Sequence, residues 1–466
     1  MLSQRNDDRT SWIEGIAGGP AACSAAPSKL GLARSRGALA TLMLALFTAG
    51  CDVGSLLDVD LPGVVPADAL DNPQLIATLV ASVISDFECA WDGYAAAAAV
   101  HSDEFVGASG NLLNKQWGTR QITSSNGNLA TGACGGTYGT YAPLHTARFQ
   151  AEDVFRRLGD VDETTVPDKV EFQATVRAYG AYALVGLGEG FCEMAIDGGP
   201  LMQPAQVLDS AYAKFTEAIE LATQAGAGEI EHVARAGRAR VRLDREDFAG
   251  AIADAELIPS GFNAVATRDG SDPRRYNRHF EAVNDPNAAR HASVADDYRD
   301  VRFKDVKDPR IVAGFSGVNS FDNVTPHWSH TKTTGRDTGV PLASYKEAQL
   351  IIAEASARSG NPERARQILA ARHAEVGLPQ YDASELATEA QVIRAVIEER
   401  RRDLFVEGAW RLNDMLRLRG SPYEIPFLGE PGSIHPDGFD QTGQRYGATT
   451  CLPLPDAERF GNPNIS

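Results

Sequence analysis

Positive charge is in short supply in this chain. Its 466 residues carry 44 Lys and Arg against 62 Asp and Glu, a formal net charge of −18. That excess repels phosphodiester backbones and anionic lipid headgroups, which argues against nucleic acid or acidic membrane surfaces as partners. Cysteine is scarce as well. There are six, none in C-x-x-C or His-paired spacing, so no metal centre and no cofactor is expected. Signatures of nucleotide and hydrolytic chemistry are missing: there is no G-x-x-x-x-G-K-[ST], no H-E-x-x-H, no G-x-S-x-G and no EF-hand loop. Gly107-Ala108-Ser109-Gly110 fails the nucleophile-elbow spacing, and Asp437-Gly438-Phe439-Asp440 offers too few ligands for calcium. Asp103 and Glu104 could imitate a catalytic pair. Adjacent helical positions point apart, however, so a solvated or capping role is expected of them. No enzymatic activity is expected.

Long apolar runs are few. Arg34 and Arg36 precede an apolar run at 38–49 that is too short to cross a bilayer and fits a signal-peptide core. It ends in Thr48-Ala49-Gly50-Cys51, which resembles a lipobox, with Cys51 as the lipidated residue and Thr48 in place of the usual leucine. Residues 1–50 are therefore read as leader and N-terminal extension, and 51–466 as a single mature domain. Export would leave Cys89, Cys134, Cys192 and Cys451 in an oxidising compartment, where they allow up to two disulfides in three connectivities.

The mature chain reads as helical. Asn72 and Pro73 mark a helix start, followed by a second helix over 94–100 with five consecutive alanines. Residues 107–136, rich in Gly, Ser, Asn and Thr, read as a long loop. Further helices are predicted over 141–158, from Pro167 to Cys192, and over 209–225. Helix pairs follow at 230–257 and 342–372, the second with Gly360 as its stop and Asn361 as the next cap. Their length and small residues suggest a mostly α, tetratricopeptide-like repeat scaffold. Residues 263–340 lack helical period and read as an irregular insertion.

The stretch 391–420 is the densest. Val392, Ile393, Val396, Ile397, Leu404 and Phe405 form one apolar stripe, with Glu398 and Glu399 placed to pair with Arg402 and Gly408 as a kink. Glu399, Arg400, Asp403, Leu404, Glu407, Gly408, Arg411, Asp414, Met415 and Arg417 resemble the signature of the SusD/RagB family of nutrient-binding outer-membrane lipoproteins. Asp308-Pro309-Arg310, residues 340–355 and the closing segment from Leu452 to Asn464 are similar to other family features.

The resemblance implies a SusD-like lipoprotein, anchored at Cys51 to the outer face of the outer membrane. It would capture an oligomeric nutrient, a glycan before a peptide, and deliver it to a SusC-like TonB-dependent transporter. The alternatives are a periplasmic tetratricopeptide adaptor and an exported hydrolase. Flat aromatics in irregular segments can stack on sugar rings, so Trp117, Tyr138, Tyr141, Tyr276 and Trp328 are the candidate ligand contacts, with Arg120, Arg274 and Arg275 for carboxylates.

Overall fold

A computed structural model describes residues 67–131 and 139–465. Cys51 and its leader, Cys134 and Tyr138 lie outside them. Asn72 caps as expected, its side chain accepting from the Gln74 N–H at 3.0 Å, and a 3₁₀ turn at Pro73–Leu75 leads into α1 (Ile76–His101). This is one 26-residue helix where the sequence suggested two. Alanine is the best helix former, and no proline interrupts 84–93, so the run propagates through the single Gly93. Phe87, Trp91, Tyr94 and the alanines 95–99 are all buried at the centre of the molecule.

The region 107–136 also departs from its expectation. β1 (Phe105–Gly107) is followed by α2 (Leu112–Gly118) and α3 (Gly127–Thr131). Asn111 caps α2, its side chain accepting from the Leu113 and Asn114 N–H groups. The polar composition that suggested a loop is in part capping chemistry.

The scaffold then builds by neighbour contacts: α4 (Tyr141–Gly159), α5 (Lys169–Gly190), α6 (Pro204–Ala225), α7 (Gly228–Asp244) and α8 (Phe248–Ala255) each pack on the next. Close approach is built in. A Cβ at Gly237 of α7 would stand 2.2 Å from the Phe215 ring of α6. After the irregular segment the chain returns as α9 (Tyr345–Arg358) against α8, followed by α10 (Pro362–Val376), α11 (Glu389–Asp403), α12 (Trp410–Arg417) and α13 (Asp456–Gly461). Asn361 caps α10 through the Arg364 N–H.

β2 (Asn263–Ala266) and β8 (Val340–Ser344) pair antiparallel and close the irregular segment at its base. Within it lie β3 (Ala292–Val294), which pairs with β1, the short pair β4 (Arg302–Phe303) and β5 (Val306–Lys307), and a hairpin of β6 (Ala313–Asn319) and β7 (Pro326–His330).

The stretch 391–420 breaks rather than kinks. Between α11 and α12 the chain takes left-handed backbone at Val406, Gly408 and Ala409. Such conformations cost about 1–2 kcal/mol per non-glycine residue and persist only where surroundings enforce them. Here the Glu104 carboxylate accepts from the Val406 N–H at 2.7 Å, the Gly408 carbonyl accepts from Arg240, and Glu407 pairs with Lys332 and Lys346. Asp103 binds Arg411 with both oxygens. Of the solvated or capping role expected of Asp103 and Glu104, the solvated part is corrected: Glu104 caps a backbone N–H of this turn and Asp103 pairs with Arg411.

Ion pairs fill the interior beside it. Arg400, 1% exposed, joins Glu354 to Asp414, and Arg417 joins the same two carboxylates. Glu398 pairs with Arg402 as expected, whereas Glu399 turns instead to Arg310 and His373. Asp403 receives Arg372 and Arg310. Cys192 and Cys451 form a disulfide that ties the end of α5 to the C-terminal segment, with Cα atoms 5.1 Å apart, and Cys89 is also disulfide-bonded.

Two predictions follow from this core. Leu404, 2% exposed, closes α11. Leu404→Asp buries an unpaired charge and is expected to lower unfolding stability by at least about 3 kcal/mol in urea melts. An unchanged midpoint would refute the packing described.

The second concerns pH. Burial, with Asp103 close by, outweighs the Val406 hydrogen bond and pushes Glu104 up to about 7. Its contribution to stability is complete below the usual carboxylate range and is lost as pH rises through 7, by up to about 3 kcal/mol at ~1.4 kcal/mol per unit. Glu398 works oppositely. Burial raises it, but Arg401 and Arg402 overcome that and hold it down to about 2, so its contribution is lost as pH falls from 4 toward 2. Thermal melting against pH should peak in the mildly acidic range. Glu104→Gln keeps an acceptor for Val406 and should lessen the alkaline slope without touching the acid side, Glu347, which burial also pushes up to about 7, supplying a further part; a wild-type alkaline slope in that variant would count against Glu104 as a source.

Candidate ligand-binding surface

Of the residues nominated from sequence, three are interior. Trp117 is 0% exposed in α2 and packs edge-on against His101, with ring centroids 6.2 Å apart. Arg120 is 3% exposed; it donates to the Thr449 and Leu428 carbonyls and pairs with Glu430 at 3.0 Å. Tyr141 is buried, and its hydroxyl donates to Glu458 at 2.9 Å. Ligand contact by these three is corrected to structural roles: Trp117 packs inside the N-terminal helices, and Arg120 and Tyr141 fasten them to the C-terminal segment. Trp117→Ala would open a core cavity costing about 3–5 kcal/mol rather than report on a ligand. Tyr276 is half-buried beneath the Arg336 guanidinium, 4.4 Å from its ring. Arg275 is drawn to Glu88 and Thr267, while Arg274 is exposed.

Trp328 stands in a different setting. It lies on β7 directly across from Phe315 of β6, so the two side chains share one face of the hairpin. Their rings are 5.7 Å apart and tilted by 44°. Phe315 is 54% exposed, Trp328 is half-buried, and the Arg299 guanidinium sits 5.2 Å from the indole. Around them Val318, Phe321 and Val324 are also exposed.

The platform is held rigidly from behind. Ser293 of β3 donates to the Pro326 carbonyl and accepts from the Trp328 N–H, both at 2.9 Å. The Asn284 side chain accepts from the His330 N–H and donates to the His330 and Thr333 carbonyls. His327 is buried, which lowers its pKa and keeps the ring neutral. Its Nε2 must then donate to the Val283 carbonyl at 2.7 Å and its Nδ1 accept from the Ser316 hydroxyl at 2.8 Å. At the tip, Phe321 packs edge-on against His291, and Asp322 donates its N–H to the Ala108 carbonyl. Gln441 bridges Gly107 and Thr325. Segments from both ends of the chain thus brace the hairpin.

Phe315 and Phe321 were not foreseen. The signal was present: two β-prone runs flank Asp322-Asn323, with aromatics set among Gly, Ser and Asn. Such a surface can stack on the C–H faces of flat rings and offers little else chemically. It is a platform rather than a cavity, and the clefts that open near Tyr381, Pro431 and Leu416 do not include it.

Comparison with known proteins agrees with this architecture. Residues 263–465 match the model of the SusD family. No curated protein matches the chain by sequence. Among solved structures, a SusD-like carbohydrate binding protein from Bacteroides vulgatus is similar at 13% identity and TM-score 0.62, covering 84% of this chain and 97% of its own. A SusD superfamily protein from Parabacteroides distasonis gives 13% and 0.61, over 84% and 98%. A SusD-like protein from Bacteroides fragilis gives 13% and 0.59, over 88% and 99%. These likenesses establish a shared fold, mostly helical with a tetratricopeptide-like scaffold. Residues 263–465 thus match the SusD family, and the chain shares the fold of these SusD-like proteins.

Proposed function

We propose that this protein captures an oligomeric nutrient, a glycan in the first instance, and passes it unaltered to a SusC-like TonB-dependent transporter at the outer membrane. The observation that carries the reading is the solvent-facing Phe315–Trp328 pair, presented on a braced hairpin inside the family-matched region. The carbohydrate-binding relative supports glycan as the ligand class. Stacking on one or two rings is weak, so affinity is modest and rests on several contacts. Anchoring through acyl chains on Cys51 would place the protein at the cell exterior.

Calorimetry against glycan and peptide panels tests the ligand. Phe315→Ala and Trp328→Ala should each weaken glycan binding by about 1 kcal/mol, roughly fivefold, with helical circular dichroism unchanged. Because the rings touch, the double variant should lose less than the two losses combined. Unchanged affinity in both single variants would move the site elsewhere, and released product would make the protein an enzyme.

Lipid labelling tests the anchor. Wild type should incorporate radiolabelled acyl chains and Cys51→Ala should not; several chains give the stable membrane attachment that one cannot. Equal labelling would remove Cys51 from the reading.

A further inference from the structure

A concave site lies on the helical scaffold, outside the irregular segment that carries the hairpin. The end of α5, the start of α6, the end of α7 and α12 surround a cleft of about 400 Å³. Phe191, Leu208, Leu416 and the Cys192–Cys451 disulfide give it largely apolar walls. That volume accommodates a side-chain-sized group.

Asp244 lines this cleft with a side chain only 3% exposed. Its Oδ1 accepts from the Asn413 amide at 3.0 Å. Its Oδ2 is buried and has no hydrogen-bond partner among the described residues. The nearby cations are committed to other carboxylates. Arg240 donates to both oxygens of Glu189, at 2.6 and 2.5 Å. Arg417 binds Glu354 and Asp414, each within 2.6 Å, and its Nε stays 4.0 Å from Asp244. Arg245 pairs outward with Asp209 at 2.8 Å. Asp244 is the least well paired carboxylate of this network, with Arg417 only at the edge of ion-pair range, and a buried carboxylate so poorly matched is costly. Burial, added to by the charge of Glu189, pushes its pKa well above the usual range.

We propose that the cleft binds a primary ammonium group, which docks on the free Oδ2 of Asp244 while its aliphatic stem lies along Phe191, Leu208 and Leu416. Ammonium supplies the charge and the donors that Asp244 lacks, and the apolar walls suit a methylene stem. The group has two natural sources, a lysine side chain of a peptide and an amino sugar. The walls favour the lysine stem, and the experiment separates the two.

Ligand-observed NMR on the full mature chain uses Nα-acetyl-lysine methylamide, glucosamine, butylammonium and the neutral alcohol pentanol. Saturable binding, of the order of millimolar for such small probes, is expected for butylammonium and the lysine derivative and not for pentanol. Asp244→Asn should weaken it at least tenfold. Ala205→Phe, which fills the mouth from an exposed position without touching the ion network, should do the same, so a folding defect in the first variant leaves the second as the test. Glucosamine binding as tightly as the lysine derivative would assign the site to amino sugars, still through the ammonium. Equal binding of pentanol, no saturable binding of any ammonium probe, or binding insensitive to both substitutions would overturn the proposal. The hairpin is wild type throughout, so failure here and failure of glycan capture are read separately.

Discussion

The fold depends on a buried ion-pair network whose members converge from distant parts of the chain. Arg400 of α11 lies between Glu354 of α9 and Asp414 of α12. Asp403 and Glu399 draw in Arg310 from the irregular segment, and Glu407 draws in Lys332 and Lys346. Burying each of these charges costs several kcal/mol, which the partner returns only when geometry is good and remaining lone pairs are satisfied. Such a network contributes little net stability over an apolar core of the same shape, but removing one member strands the rest. It specifies register instead. α9, α11, α12 and the segment around Arg310 must all arrive together, and the left-handed turn at 406–409 is held because its neighbours leave no alternative.

The same network explains why charged residues in this chain mislead a search for catalytic groups. Glu104, Glu399 and Asp414 are acidic and buried, and Asp103 is part-buried next to Glu104, features that elsewhere mark an active site. Here Asp103, Glu399 and Asp414 each face an arginine, and Glu104 faces a backbone N–H. Their placement reflects architecture. Asp244 differs in that one of its oxygens has no such partner.

What the sequence revealed followed local rules. The helix over 141–158, the paired helices and the caps at Asn72 and Asn361 depend on periodicity and on side chains a few residues apart, so they were legible. The errors arose where distant contacts decide. The break at Gly408 requires Trp91, Arg240 and Glu104, none within a hundred residues of it. Trp117 looked free in a polar stretch because capping asparagines resemble loop residues, whereas the fold places it against His101 in the core. Phe315 went unnoticed for the converse reason. Its exposure follows from pairing with β7, which is itself pinned to β3 by Ser293, and no local pattern announces that β6 is left outermost.

That arrangement also bears on how binding can occur at all. A flexible loop that ordered around a sugar would lose about 0.5–1.5 kcal/mol for each side chain it immobilised, comparable to what one stacked ring contributes. The hairpin avoids most of that cost. Ser293, Asn284 and the neutral His327 fix its backbone before any ligand arrives, and the Arg299 guanidinium already covers one side of the indole. A weak stacking surface becomes serviceable when it is preorganised, and bracing from both ends of the chain is what makes it so. The buried histidine is part of this: its neutral ring donates through Nε2 to the Val283 carbonyl and accepts at Nδ1 from Ser316, so one side chain of β7 is tied both to β6 and to the segment behind it.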